Sequence, residues 1–560
     1  MGEFWDTHKH VIILVALLVV AFVILHFPFS KGNLDKDTLP VSITYDNYYH
    51  PVVSKGVFDR EQQQTYAPYR AMGVTNAVIA DPPLHFTIPA TFTKLTTLPF
   101  YQGHFFISVL ILLWTSVIAF VLFRRVFSPT IAIIAAAFAL VPPGVAWLFQ
   151  LYIGFTNSIE AFFFALFILF LLVYTLEHPS ILAAALMGAG FAAQFLTHGP
   201  IEAGYTFLFV TITMGVLWKK RHAAWLLGHW LVIFGTAAVL SFYQYVLLRM
   251  ARITGEGIRE TLFGGKPIPE YFPQPGLGWL ITILVLIGAV VLVLRVVSKK
   301  MSKQQLVVAS FLAFMLAVAF SYVLGVDGSR SFRQLYSAYP LLALLPAIGV
   351  VALWNQVKRR VSDRFVPLFE IAVVALIVGF SISPIFAGLA SIGANGQATP
   401  ERWQTLSWVR EHTPPDARVF YLFGFEHEFG MLAERTPFKG DLGLGYTQRN
   451  ILELCNGRFP QNFSGQWGSA ITVRADEGRM LVPTKEGLFR TSWHVITRPG
   501  TDIIIPKPED QVALSGFDYV VVQHAGTQAD SCMAFFLKEA LAQNATVAWK
   551  NNQFTILEVA

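Results

Sequence analysis

The stretch Val11–Phe27, VIILVALLVVAFVILHF, decides the fold class, because it contains no Asp, Glu, Lys or Arg and is apolar on every side of a helix. An α-helix needs ~20 apolar residues to cross the hydrocarbon core of a membrane. The run is long for the apolar part of a cleavable signal peptide, and no small-residue cleavage site follows it. We therefore interpret it as a retained membrane anchor.

The composition extends this interpretation to most of the chain. Of 560 residues, 54% are hydrophobic and only 14% are charged, which is typical of a protein that keeps much of its apolar surface in lipid. We predict a mainly α, polytopic transmembrane helical bundle of about eleven spans, near 11–28, 104–123, 130–149, 158–176, 180–197, 201–218, 224–248, 277–297, 305–325, 335–355 and 365–388.

The basic residues predict the orientation. The net charge of +6 lies mostly in short loops, among them Phe123–Phe127, Trp218–His222, Arg295–Lys303 and Lys358–Arg364. All four loops lie on the cytoplasmic side if the amino terminus is cytoplasmic, as the positive-inside rule requires. This pattern indicates a multi-pass plasma-membrane protein rather than a nucleic-acid-binding one. The long polar loop 29–103 and the tail then face outward.

The tail has a different character from the rest of the chain. We predict a transmembrane domain at 1–390 and a soluble extracytoplasmic α/β domain at 391–560, where helical and strand patterns alternate. Both cysteines, Cys455 and Cys532, belong to this tail. A disulfide in an oxidising compartment and two unpaired buried thiols are both open interpretations.

The first outer loop carries a candidate reactive carboxylate. In TYDNYYHPV (Thr44–Val52), Asp46 is followed by Tyr48, Tyr49 and His50. Aromatic neighbours lower the local dielectric and suit a pocket in which a carboxylate acts as a base or a metal ligand. The alternative is an acid among the tyrosines of an interfacial aromatic belt. The other acids of this part of the loop are interpreted as solvated: Asp35, Asp37, Asp59 and Glu61.

The segment ADPPLHF, which contains Asp81 and His85, ends the loop. Two prolines fix the backbone there without needing hydrogen-bond partners. Asp81 either takes part in the chemistry directly or marks the positive N-terminus of a helix.

Glu160 lies in GFTNSIEAFFF, at the start of an apolar run. Asn157 and Glu160 have the spacing of a capping box, which would explain the acid structurally. An ionisable residue at membrane level is also costly and commonly functional. The two interpretations are compatible.

Two arginines lie in the segment GSRSFRQLYSAYP. Arg330 and Arg333 are three residues apart and share a helix face with Tyr336. Guanidinium forks match phosphate oxygens, so the pair suits a phosphate or pyrophosphate. Snorkelling of the two side chains to lipid headgroups is the alternative.

The order of these elements, from one span through a long loop with an early Asp and many spans to an outer domain, resembles the GT-C glycosyltransferases. Within that class YDNYYH (45–50), DPPLHFTIPATFTKLTTLP (81–99) and ERWQTLSWVREHTPPDARVFYLFGFEHEFGMLAERTPF (401–438) are similar to segments of the oligosaccharyltransferase catalytic subunit. The span count is nearer to that of the protein O-mannosyltransferases. The resemblance covers about residues 10–160 and 325–440.

The resemblance implies transfer of a sugar or glycan from a polyprenyl-(pyro)phosphate-linked donor to a protein or glycolipid acceptor on the outer face of the membrane. Asp46 would be the base, Glu160 would support it, and both would hold a divalent metal, Mg²⁺ or Mn²⁺, if one is used. Arg330 and Arg333 would bind the donor phosphate. The remaining candidates for substrate contacts are His50, Tyr48, Tyr49, Asp81, His85 and Tyr336.

The resemblance has two departures. Where oligosaccharyltransferases carry a Trp-Trp-Asp-Tyr-Gly motif for the acceptor peptide, this chain has LFGFEHEFG (422–430). Ser158 stands where their second acidic motif has an Asp. Two other functions stay open, a flippase or transporter of polyprenyl-linked glycans and a non-catalytic binder of them, although no internal repeat of the kind common in transporters is evident.

Overall fold

The computed structural model describes part of the chain, and every structural statement below refers to that part. The described residues are 2–30, 46–60, 83–140, 156–198, 200–217, 223–253, 275–320, 338–358, 368–369, 371–379, 400–415, 417, 419–421, 432–435, 437–438, 474–476, 479–486, 490–497, 518–523 and 545–559.

These residues form mainly helices. The helices are α1 (Gly2–Ser30), α2 (Asp46–Arg60), α3 (Pro83–Thr96), α4 (Phe100–Val126), α5 (Pro129–Leu140), α6 (Thr156–Glu177), α7 (Ile181–His198), α8 (Pro200–Leu217), α9 (Ala223–Ile253), α10 (Pro275–Val297), α11 (Lys303–Phe320), α12 (Tyr339–Leu342), α13 (Leu344–Lys358) and α14 (Pro400–His412). Residues 371–379 are helical as well.

The chain divides into two compact units. The helical unit comprises Met1–Thr44, Asp81–Val246 and Leu262–Gly396. The sheet unit comprises Tyr45–Ala80, Leu247–Thr261 and Gln397–Ala560. Besides Gln397–Ala560, the sheet unit includes two segments from within the predicted transmembrane domain 1–390, and one of these segments contains α2.

The faces of α1 show why the helical unit is a membrane structure. Val15, Val19 and Val23 recur every four residues and are 52%, 57% and 61% exposed, whereas Leu17 and Ala21 on another face are 3% and 1% exposed. A helix that is apolar on its packed face and on its exposed face is stable when lipid surrounds it. The protein is therefore a membrane protein.

Helix length and composition agree with this conclusion. Five helices among the described residues are long and apolar enough to cross a membrane: His8–Leu25, Phe100–Val126, Asn157–Glu177, Ile181–His198 and Tyr339–Gln356. Five shorter apolar helices are Pro129–Leu140, Ala203–Val216, Leu226–Phe242, Ile281–Val297 and Lys303–Val318. Each of these ten helices coincides with one of the apolar runs in the sequence, and residues 371–379 lie within the eleventh run.

Inside the helical unit, α6 packs along α7, α4 packs against α3, α5 and α6, and α10 packs along α13. The α10–α13 pair approaches most closely at two glycines. A Cβ atom on Gly288 would overlap the carbonyl oxygen of Leu345, and one on Gly349 would overlap the carbonyl oxygen of Leu284. Small residues let membrane helices approach until their backbones touch.

The sheet unit contains two sheets. Strands β1 (Val419–Tyr421), β2 (Pro437–Phe438), β6 (Tyr519–Gln523), β7 (Ala545–Lys550) and β8 (Phe554–Val559) form a sheet in the order β2-β1-β6-β8-β7. The β2-β1-β6 part is parallel and the β6-β8-β7 part is antiparallel. Strands β3 (Arg474–Asp476), β4 (Arg479–Glu486) and β5 (Arg490–Thr497) form a separate antiparallel sheet.

Helix α14 packs against β8, and Asn551 joins the two elements. The Asn551 amide nitrogen donates to the carbonyl oxygen of Glu401 (2.8 Å), and its Oδ1 accepts from the backbone N–H of Phe554 (2.7 Å). Helix α14 and strands β1, β6 and β8 coincide with a helix and strands that the sequence predicts. The sheet β3–β5 and the helix α2 are additional, and the helix predicted from DSCMAFFLKEALAQN lies outside the described residues, as do both cysteines.

We expect Gly288→Ala to lower the free energy of unfolding by about 1–3 kcal/mol, because the added methyl group must separate α10 from α13. Gly235→Ala is the matched control, since a Cβ atom there meets nothing within 4 Å. This control should be neutral or stabilising by up to ~1 kcal/mol through helix propensity. Thermal unfolding of the full-length protein in detergent, followed by tryptophan fluorescence, measures both. Equal midpoints for the two variants would contradict the close contact.

Candidate active site

The candidate site is built on three helices of the helical unit: α3, α6 and α7. Pro83 begins α3, as the predicted helix start in DPPLHF requires, and its carbonyl accepts a hydrogen bond from Thr87 Oγ1 (2.8 Å). Proline suits the first turn of a helix, where its missing N–H costs nothing. His85 consequently lies in the first turn of α3.

His85 pairs with Glu160 of α6. Their Nδ1 and Oε2 atoms are 2.8 Å apart, and each side chain is 2% exposed. The two atoms are within hydrogen-bond distance, and an imidazole N–H at this position would donate to the carboxylate oxygen. A carboxylate buried among apolar helices is expensive unless it is paired, and His85 supplies that partner from 75 positions away in the sequence.

The predicted capping box at Asn157 is wrong, because the Glu160 side chain bonds to His85 instead of the backbone of its own helix. Asn157 Oδ1 accepts from the backbone N–H of Ser158 (2.8 Å). Within the described part of the chain, Glu160 Oε1 has no hydrogen-bond partner although it is buried. Such an oxygen is able to accept a hydrogen bond from a ligand, and the functional interpretation of Glu160 stays a prediction.

Ser158 links the start of α6 to the end of α7. Its Oγ is 3.2 Å from His198 Nε2, and His198 is the last residue of α7. Gln194, one turn earlier on α7, donates to Thr206 Oγ1 of α8 (3.0 Å). The Ser158–His198 contact thus joins the start of α6, near Glu160, to α7, and the Gln194–Thr206 bond joins α7 to α8.

His104 is a site residue that the sequence analysis missed. It lies on α4, is buried, and interacts electrostatically with His85. The signal was present in the sequence, because an ionisable residue near the start of a membrane helix is uncommon without a role.

Of the predicted site residues, the structure brings together His85 and Glu160. Asp46, Tyr48 and Tyr49 lie in the first turn of α2, which belongs to the sheet unit, and their side chains are outside the described part. His50 is buried on the same helix. The remaining candidates, Asp81, Arg330, Arg333 and Tyr336, also lie outside the described residues.

A divalent metal was predicted at Asp46 and Glu160. Among the described residues there is no cluster of three or more His, Cys, Asp or Glu side chains that could hold one. Of the two predicted ligands, Glu160 offers one buried oxygen, Oε1, and the side chain of Asp46 lies outside the described part. Carboxylate oxygens suit both Mg²⁺ and Mn²⁺.

Solved structures share this architecture at low sequence identity. The oligosaccharyltransferase AglB from Archaeoglobus fulgidus, in complex with an inhibitory peptide and a dolichol-phosphate, matches with a TM-score of 0.54 and 13% identity, over 80% of this chain and 67% of that chain. ArnT from Cupriavidus metallidurans bound to undecaprenyl phosphate matches with a TM-score of 0.55 and 11% identity, over 98% of each chain.

Both proteins are GT-C glycosyltransferases, so the predicted GT-C-like fold is confirmed. The chain spans about two thirds of the length of AglB and almost the whole length of ArnT. No protein-family model and no curated protein sequence matches the chain significantly.

We expect Glu160→Ala to lower the free energy of unfolding by about 2–4 kcal/mol, because it removes the acceptor of a buried imidazole. Glu160→Gln keeps an oxygen acceptor and should cost less than half as much. Thermal unfolding in detergent measures both values.

The control for this prediction is Glu177→Gln at the other end of α6. Glu177 pairs with Arg125 and Gln304 but is 34% exposed, so its loss should cost at most about 1 kcal/mol. A Glu160→Ala variant as stable as Glu177→Gln would show that the His85–Glu160 pair contributes little.

Proposed function

We propose that the protein is a membrane glycosyltransferase that transfers a sugar or glycan from a polyprenyl-(pyro)phosphate-linked donor to a protein or glycolipid acceptor. The observation that carries the proposal is the buried His85–Glu160 pair inside a GT-C-like helical unit. AglB and ArnT, which share the fold, have been solved with dolichol-phosphate and undecaprenyl phosphate. Their ligands support a polyprenyl carrier here.

The proposed setting is the plasma membrane. The helical unit would cross it eleven times with the amino terminus in the cytoplasm, since the basic loops then lie on the cytoplasmic side. The tail 391–560 would be an extracytoplasmic α/β domain that helps to choose the acceptor. The reaction would accordingly take place at the outer face.

In the proposed mechanism the acceptor attacks the anomeric carbon of the donor sugar, and the bond from that carbon to the phosphate oxygen breaks. Asp46 takes the proton that the acceptor loses. Glu160, held in orientation by His85, supports the reacting centre. Arg330 and Arg333 neutralise the charge that develops on the leaving (pyro)phosphate.

The other predicted contacts would bind the sugar and the carrier: His50, Tyr48, Tyr49, Asp81 and Tyr336. A divalent cation, if used, would be held by Glu160 and Asp46 and would neutralise phosphate charge. The donor arrives already activated, so no nucleotide site is required.

We expect Asp46→Asn to reduce transfer by at least about a hundredfold, because the amide cannot accept the acceptor proton at neutral pH. The assay uses purified protein in detergent or membranes and a radiolabelled polyprenyl-linked sugar. Asp37→Asn, in the same outer loop, is the control and should transfer at the wild-type rate. Wild-type transfer by Asp46→Asn at normal expression would overturn the assignment of the base.

We expect Arg330→Lys and Arg333→Lys each to lower kcat/KM by about ten- to a hundredfold, because a lysine cannot form the paired hydrogen bonds of a guanidinium fork. Unchanged kinetics in both variants would indicate that these arginines contact lipid headgroups instead.

A liposome assay separates the proposed enzyme from a flippase. Movement of a labelled polyprenyl-linked glycan across the bilayer without any covalent transfer would overturn the proposed function.

A further inference from the structure

The helix that begins at Asp46 belongs to the sheet unit rather than to the helical unit. Its central part is packed, since Val53, Ser54 and Val57 are all buried. Pro51 lies inside the helix and removes one intrahelical hydrogen bond. The first turn, with Asp46, therefore depends on how the remainder of α2 is anchored.

Lys55 is the charged residue at the centre of this anchor. Its side chain is 11% exposed, and its Nζ atom lies 2.7 Å from Asp59 Oδ1, one turn further along α2. Nζ also lies 4.0 Å from Glu434 Oε2, which is 28% exposed. Asp59, expected from the sequence to be merely solvated, is thus part of an ion-pair cluster. A lysine buried to this degree needs such partners, because its desolvation would otherwise be unfavourable.

The backbone at Glu434 is held in place by the hydrogen bonds of its neighbour Arg435. Glu434 has a φ angle of 50°, in the left-handed region that residues other than glycine adopt at a cost. Its neighbour Arg435 is buried and donates to the carbonyl oxygens of Arg410 and Thr413, both at 2.6 Å, and to Thr413 Oγ1 at 3.0 Å. These bonds fix the position of Glu434 against the C-terminal end of α14.

We propose that Lys55 and Glu434 are positioning residues: their contact holds α2 against the sheet unit and so sets the position of Asp46. Lys55 is about two and a half helical turns from Asp46, on the same short helix. A displacement of α2 also moves Asp46, and an error of 1 Å in a reacting group can cost on the order of a hundredfold in rate. The inference rests on the proposed function, in which Asp46 is the base.

Reversing the charges of Lys55 and Glu434 in the full-length protein tests the inference. The variants are Glu434→Lys, Lys55→Glu, the double variant that restores opposite charges, and the conservative Glu434→Gln. Glu411→Gln is the control, because Glu411 is a largely exposed acid of the same unit. The first readout is backbone amide hydrogen exchange, which needs no substrate. We expect exchange in 46–60 to be about tenfold faster in Glu434→Lys and Lys55→Glu and near wild type in the control. Exchange should be intermediate in Glu434→Gln and in the double variant, because Lys55→Glu also removes the pair with Asp59.

The second readout is sugar transfer. We expect Glu434→Lys to lower kcat about ten- to a hundredfold with KM within about threefold of wild type, because a displaced base affects the transition state rather than donor binding. The double variant should recover part of this loss, since it restores opposite charges toward position 434 but not the pair with Asp59. Protection of the backbone amides in β6 and β8 against hydrogen exchange verifies that each variant is folded. If Glu434→Lys fails to fold, Glu434→Gln and the double variant decide the result.

Unchanged exchange in 46–60 for the single variants would overturn the inference. Faster exchange with wild-type kcat would also overturn it, because the contact would then be structural alone. A wild-type protein that transfers no sugar overturns the proposed function and the catalytic half of this inference with it. In that case the exchange data still establish or refute the anchoring of α2.

Discussion

The absence of hydrogen-bond partners in lipid is the constraint on which the rest of the helical unit depends. Hydroxyl groups inside its helices bond to carbonyls one turn earlier, as Thr115 does to Ile111 and Thr175 to Leu171. Groups that cannot bond within their own helix reach a neighbouring one, as His85 does with Glu160. The same requirement that pairs one oxygen of Glu160 with His85 also fixes the orientation of the Glu160 side chain.

In the sheet unit, a buried charged side chain obtains its hydrogen-bond partners from the backbone. The guanidinium of Arg435 is buried and donates to carbonyls at the end of α14, where helical carbonyls lack partners. Cations also stabilise the negative end of the helix dipole. This arrangement fixes the neighbouring Glu434, which in turn meets Lys55 of α2. In the positioning role that we propose for Glu434, the cap of α14 is connected to α2 through the adjacent residues Glu434 and Arg435.

The apolar runs were predictable because membrane insertion depends on summed local hydrophobicity. The strands at 419–421, 519–523 and 554–559 were predictable from their β-branched and aromatic content. Helix α2 was not, since Pro51, Gly56 and its tyrosines give it a weak helical pattern. The capping-box prediction for Glu160 failed because the correct spacing within one helix says nothing about a partner on another. His104 was missed although its place near the start of an apolar run is visible in the sequence.

Residue order along the chain is enough to establish a polytopic helical membrane protein and to single out Glu160 and His85 as uncommon polar residues in apolar surroundings. Residue order cannot show that the side chains of His85 and Glu160 are in contact, because they are 75 positions apart and each is compatible with a local explanation. Their contact exists because α3 and α6 pack beside α4 and α7. Lys55 and Glu434 are likewise far apart in the sequence and come within 4.0 Å of each other in the folded chain. Hydrophobicity acts locally and is readable in sequence, whereas the pairing of buried polar groups is a property of the folded chain.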